Sequence, residues 1–122
     1  MKLLFFTFLL ALTVHTSFAQ TYEDITKWER RAMLWTMQCI EEFELDPEIR
    51  NNLFKAKLDQ MNALREFNDR KEGKTKDELL ELRKELLWPK DQIIVDLTGL
   101  RKKDIGEFTD TFRKEMNKIR DK

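Results

Sequence analysis

Residues 25–43 read ITKWERRAMLWTMQCIEEF. Ile25, Trp28, Ala32, Trp35, Cys39 and Phe43 recur there at steps of three and four, which stacks them on one face of an α-helix. Met33, Met37 and Ile40 widen that face, so the helix calls for cover on more than one side. No stretch of the chain alternates apolar and polar residues at strand period for any length. The pattern predicts a helix from about Glu23 to Phe43 and an all-α fold built around it.

Downstream, Gly and Pro are scarce and act as punctuation. Asp46-Pro47 is a helix start: Asp can cap free N–H groups, and Pro at the first helical position loses no needed donor. A second helix then runs to about Lys71, with Ile49, Leu53, Ala56, Met61, Leu64 and Phe67 on its apolar face and Phe54 and Leu58 alongside. Gly73 ends it. Thr75-Lys76-Asp77-Glu78 fits a capping box for a third helix carrying Leu79, Leu80, Leu82, Leu86 and Leu87. Pro89 stops or kinks that helix near Trp88. Ile93, Ile94, Val95 and Leu97 continue as helix, with a strand as the alternative, although nothing else in the chain could pair with it. The last helix has two candidate starts, Thr98 and the cap-like Asp104-Ile105-Gly106-Glu107. From either, Ile105, Phe108, Phe112, Met116 and Ile119 form an apolar stripe. The expectation is four helices with short connections, which favours antiparallel neighbours.

The N-terminus reads as a signal peptide over residues 1–19, leaving a single helical domain over residues 20–122. Lys2 is the basic start, Leu3 to Val14 the apolar centre, and Ser17-Phe18-Ala19 the small-residue cleavage site. The apolar centre is shorter than the ~20 residues a spanning helix needs, so no membrane span is expected after cleavage. This places the mature chain in the periplasm or outside the cell. The cut removes His15, the single histidine. It also removes Lys2, one of 23 basic residues set against 23 acidic ones, for a mature net charge of −1. Such a balance gives no drive toward nucleic acid or anionic lipid.

The remaining chemistry points away from catalysis. Without His, a His-dependent nucleophilic site is excluded. One cysteine and no histidine cannot build a structural zinc site, and no cofactor or metal is implied. Cys39 reads as a buried thiol on an apolar face, with a bridge between two chains as the alternative. Glu41, Glu42, Glu44, Asp46 and Glu48 could supply paired carboxylates, but the simpler reading is a solvated turn that favours the following helix N-terminus. Trp28, Trp35, Phe54, Trp88 and Phe108 form a candidate apolar binding surface, the aromatic surplus that a dimer interface or a client-binding cradle needs.

Two junctions look alike. Leu45-Asp46-Pro47-Glu48-Ile49 is followed by Leu53, and Leu97-Thr98-Gly99-Leu100-Arg101 by Ile105. Each has a Leu and a capping residue that opens a helix. Together with Met61-Asn62-Ala63-Leu64-Arg65-Glu66 and the closing Phe112-Arg113-Lys114-Glu115-Met116 helix, this resembles the twin LTxxQ motifs of the Spy/CpxP-like periplasmic helical proteins. Asp46 and Ile49 stand at the Thr and Gln positions of the first motif, and Arg101 at the Gln of the second. The resemblance implies a curved helical hairpin, often an antiparallel homodimer. Its concave face would bind unfolded clients or a membrane-bound regulator without ATP. In that family Leu45, Asp46, Pro47, Leu97, Thr98 and Arg101 would be structural motif positions. The expected function is an exported, non-enzymatic binding protein, chaperone-like or stress-sensing. The alternative is a structural or assembly partner of one obligate complex, and an enzyme built on the acidic run comes third.

Overall fold

The computed structural model describes residues 26–120. The expected signal peptide, and the first helix's expected start at Glu23, lie outside the described residues. The chain divides into two compact units, residues 1–30 and residues 31–122. Of the first unit, residues 26–30 are described. There the Thr26 hydroxyl accepts a hydrogen bond from the Glu29 N–H at 3.1 Å and donates to the Glu29 carboxylate at 3.3 Å. That reciprocal pairing satisfies a helix-start donor that would otherwise go unpaired.

Every regular element among the described residues is helical. They are α1 (Lys27–Glu42), a 3₁₀ turn (Pro47–Ile49), α2 (Arg50–Arg70), α3 (Lys76–Leu86), α4 (Trp88–Thr98) and α5 (Lys102–Arg120). The all-α expectation therefore holds, with five α-helices among the described residues in place of the four expected. The extra break falls at Leu87, just before Trp88-Pro89. Pro89 has no N–H to donate and its ring clashes with the preceding turn, so it opens a new helix. Leu87 keeps αR dihedrals (φ −100°, ψ −44°). Its N–H reaches Arg83 O at 2.8 Å, and its carbonyl accepts from Asp91 N at 2.9 Å. The two helices thus abut with no intervening loop.

Local chemistry accounts for most helix ends. Glu44 takes positive φ (51°) after α1, and the Leu45 N–H reaches back to Ile40 O at 2.9 Å. This is the six-to-one bond of a Schellman ending, and Leu45 and Ile40 both pack against the core beside it. Asp46 Oδ1 accepts from the Glu48 N–H at 3.0 Å, as its capping role requires. At Thr75 both halves of the capping box form, at 3.2 and 3.1 Å. Hydrogen bonds from the Thr75 backbone and side chain hold the Glu78 carboxyl below its ordinary range.

Neither expected start of the last helix is used. α4 ends at Thr98, and Gly99 follows in the left-handed region (φ 72°) with its N–H on Val95 O. The Thr98 hydroxyl donates back to Ile94 O at 2.8 Å and accepts from the Leu100 N–H at 3.2 Å. It closes the outgoing helix and does not open the next. Asp104 lies inside the first turn of α5 and is held by Arg101 in a two-pronged pair at 3.0 and 3.2 Å. A carboxylate there suits the helix dipole and offsets Lys102 and Lys103.

The core of the unit spanning residues 31–122 gathers Trp35 and Cys39 from α1, Leu53 and Ala56 from α2, Ile94 from α4, and Ile105 and Phe112 from α5. α2 and α4 make the most extensive backbone contact, and α3 packs against both. Between α1 and α5 the filler is aromatic. Phe108 meets Trp35 and Phe43 edge-on, with ring centres 5.7 and 5.6 Å apart. Edge-to-face geometry sets a ring's positive edge against its neighbour's negative face.

Two ends of helices carry measurable expectations. Gly99→Ala places a Cβ in open space, so its cost comes from positive φ alone, about 1 kcal/mol. Thr75→Ala removes a cap and lowers stability by about 1 kcal/mol. Urea unfolding of each variant checks both, with an unchanged slope showing that only stability moved.

Candidate functional site

The apolar face of α2 contains a lysine. Lys57 lies four residues after Leu53 and four before Met61, so helical geometry puts all three on one line. It cannot turn away from the core without unwinding the helix. Lys57 is only 7 % exposed. A lysine this buried must either pair its charge or give it up.

Lys57 is held on two sides. Its Nζ sits 4.3 Å from the centre of the Trp35 ring, over the face where the ring's quadrupole attracts a cation. It also donates to Gln60 Oε1 at 2.8 Å. Gln60 in turn donates through Nε2 to Asp91 Oδ1 at 2.7 Å. On the far side, Trp35 Nε1 donates to the Thr109 hydroxyl at 3.1 Å, and that hydroxyl donates to Ile105 O at 2.7 Å. One chain of contacts, Thr109–Trp35–Lys57–Gln60–Asp91, therefore runs through α5, α1, α2 and α4. No buried side-chain nitrogen or oxygen among the described residues lacks a partner.

Burial dominates the electrostatics. It pushes the Lys57 amine down from 10.5 to about 8, against the pull of Asp91 and Cys39 toward the charged form, while Arg31 adds to the fall. Burial likewise pushes the Cys39 thiol up to about 11, with Lys57 opposing. Cys39 is wholly buried and unpaired by any disulfide. A thiol so placed stays protonated and inert at neutral pH.

Lys57 also lines a cleft of about 370 Å³ between α2, α4 and α5. Three helical stripes build it: Lys57, Gln60, Met61 and Leu64 from α2; Asp91, Ile94 and Val95 from α4, preceded by Leu87; and Lys102, Ile105, Gly106, Thr109 and Asp110 from α5. Each stripe follows the i, i+3, i+4 pattern of a single helical face, so each helix lends one face. The walls are mainly apolar, with Lys57, Asp91, Lys102 and Asp110 as charged members. Trp88 stands against Lys102, whose Nζ lies 5.8 Å from its ring centre.

The residues expected to form an apolar surface separate in the fold. Trp35 is 1 % exposed and belongs to the core. That removes it from any binding surface, because Lys57 of α2 lies over its ring and Phe108 of α5 packs edge-on against it. Phe108 is half-buried beside it, and Phe54 is half-buried on α2. Trp88 is 46 % exposed. Trp28 lies in the first compact unit and is half-buried. Among the motif positions, Leu45 and Leu97 both pack against the core. Asp46 and Pro47 begin the 3₁₀ turn, and Arg101 is exposed on its pair with Asp104. The two junctions thus share an anchoring Leu but differ in which helix the capping residue serves. Glu41, Glu42, Glu44, Asp46 and Glu48 are all exposed.

Sequence reasoning missed Lys57, Gln60 and Asp91. The signal was present: a lysine centred between Leu53 and Met61 on an apolar stripe. A scan against protein-family models finds no match, and searches of curated proteins and of solved structures find none either.

The depressed Lys57 amine has a stability consequence with a definite sign. Between about pH 8 and 10.5 the unfolded chain holds the Lys57 proton after the folded chain has lost it, so stability rises with pH there. Cys39 acts oppositely from pH 9 to about 11, where the unfolded chain loses its proton first. Below pH 9 the Lys57 contribution is the larger of the two, because the unfolded thiol is only beginning to ionise there. Wild-type stability rises by about 1 kcal/mol from roughly pH 7.5 to 9. Lys57→Met lacks that rise and is the more stable protein at pH 7 by about 1–2 kcal/mol, since an apolar side chain replaces a buried charge. Urea melts across the pH range check both.

Proposed function

We propose that this chain is an exported, non-enzymatic polypeptide-binding protein of the Spy/CpxP type, chaperone-like or stress-sensing, whose leader over residues 1–19 is removed on export to the periplasm or beyond. In this reading the helices form a curved antiparallel hairpin, and its open face receives apolar segments of an unfolded client. The observation that supports it most is the cleft between α2, α4 and α5. Met61, Leu87, Ile94, Val95 and Ile105 line it, and Leu64 at its edge is 44 % exposed. Lys102 and Asp110 add one charge of each sign. An apolar trough bordered by both charges accepts apolar side chains while tolerating polar flanks of either sign.

A second reading, a homodimer or one obligate complex, is favoured by α1. Leu34 and Met37 are 44 % and 51 % exposed and lie three residues apart on one helical face. Such a pair suits a face that meets a second copy. The two readings are compatible, with α1 serving assembly and the cleft serving the client.

The test is aggregation of an unfolded client, followed by light scattering with the purified protein and no ATP. Near-stoichiometric protein slows aggregation. Leu64→Asp combined with Trp88→Ser weakens the effect severalfold while leaving stability within about 0.5 kcal/mol, since both side chains are already half in water. No protection across several clients overturns the chaperone form.

A further inference from the structure

We propose that Lys57 is a covalent attachment site for a small apolar carbonyl compound, an aliphatic aldehyde, seated in the cleft between α2, α4 and α5. The proposal uses the same cleft as the polypeptide-binding reading, but labelling at Lys57 is read separately from client aggregation, so either can fail without the other.

Three observations converge on it. Lys57 is the one lysine among the described residues classed as buried, and it lines the cleft. The cleft, at about 370 Å³, falls in the size range of small-molecule sites. Its Met61, Leu87, Ile94, Val95 and Ile105 walls suit an alkyl chain. Finally, the amine is oriented: Gln60 fixes it at 2.8 Å, and Asp91 fixes Gln60 at 2.7 Å.

Charge selects the ligand. Asp91 and Asp110 line the same cleft and balance Lys57 and Lys102. An anion gains little net attraction there, whereas an uncharged carbonyl meets no repulsion. The chemistry follows from burial. A lysine in an apolar pocket sheds its proton near pH 8 and becomes a nucleophile, the usual route to an imine. The nitrogen lone pair forms a bond to the carbonyl carbon, and the C=O π electrons move to oxygen. The two amine hydrogens and that oxygen then leave as water, and a C=N bond remains. No oxidant or reductant is consumed. Asp91 reaches the amine only through Gln60, and Asp110 is paired with Arg113 at 2.7 Å, so the protons pass to and from solvent water.

The experiment treats the purified protein with hexanal at pH 8, traps imines with cyanoborohydride and maps the adducts by peptide mass. Label at Lys57 exceeds that at any exposed lysine by roughly tenfold, because at that pH an ordinary lysine is almost entirely protonated. The preference disappears in urea, and the dominant adduct is absent from Lys57→Met, whose folding is checked by its urea melt. Glyoxylate, an aldehyde that carries a carboxylate, labels Lys57 less than hexanal does. Hexanal adducts spread over exposed lysines with Lys57 no higher overturn the proposal. So does a dominant adduct that survives Lys57→Met.

Discussion

The buried polar network of the residue 31–122 unit centres on one contact: the Lys57 ammonium over the face of Trp35. The contact is forced by register. Lys57 shares its line of α2 with Leu53, which is fully buried, so packing Leu53 carries a charge into the core with it. The fold answers with the nearest available attraction, an indole face at 4.3 Å. Gln60 and Asp91 then extend the compensation to α4, and the indole N–H extends it to α5. Buried charges cost stability unless they are paired and hydrogen-bonded. Here the pairing also ties four helices together, and it leaves the amine at a cleft.

That arrangement separates two roles that the aromatic residues could have shared. Trp35 is consumed by the core. Trp88, beside Lys102 near the cleft, stays half in water. A small helical unit with no disulfide must hold itself together by packing, and Trp35 fills the middle of that packing. What remains for binding is the apolar trough and its edge, with two charges of each sign among its lining residues. Under the proposed reading, such a surface selects for general character, apolar and uncharged, and not for a particular sequence. That fits capture of unfolded polypeptide, and it also fits a small apolar carbonyl compound at the amine.

Much of the fold was legible in the chain. The capping box at Thr75-Glu78, the start at Asp46-Pro47, the stop at Gly73 and the all-helical character follow from side-chain chemistry acting within a few residues, which sequence reports directly. The errors lie where distant packing or chain geometry decides. Thr98 has the chemistry of an opening cap, yet Gly99 can take positive φ, so the preceding helix ends there first. The stop or kink expected near Trp88 takes the form of a stop at Leu87, between two helices that abut. Lys57 was overlooked because charged residues on helices are usually solvated. Its burial shows only when Leu53 and Met61 are read as fixing the line it occupies. The cleft needs three helices brought together from across the chain, and no local pattern encodes that.

The central claim is that the Lys57 amine is buried, paired with Trp35 and shifted by that burial. A ¹³C- or ¹⁵N-detected NMR titration of the Lys57 side chain in the folded protein tests it directly. The account predicts a midpoint near 8 for Lys57, set apart from the exposed lysines, with the Trp35 indole resonance moving in step as the ammonium loses its charge. A Lys57 midpoint at the ordinary lysine value, with Trp35 unmoved, would contradict it.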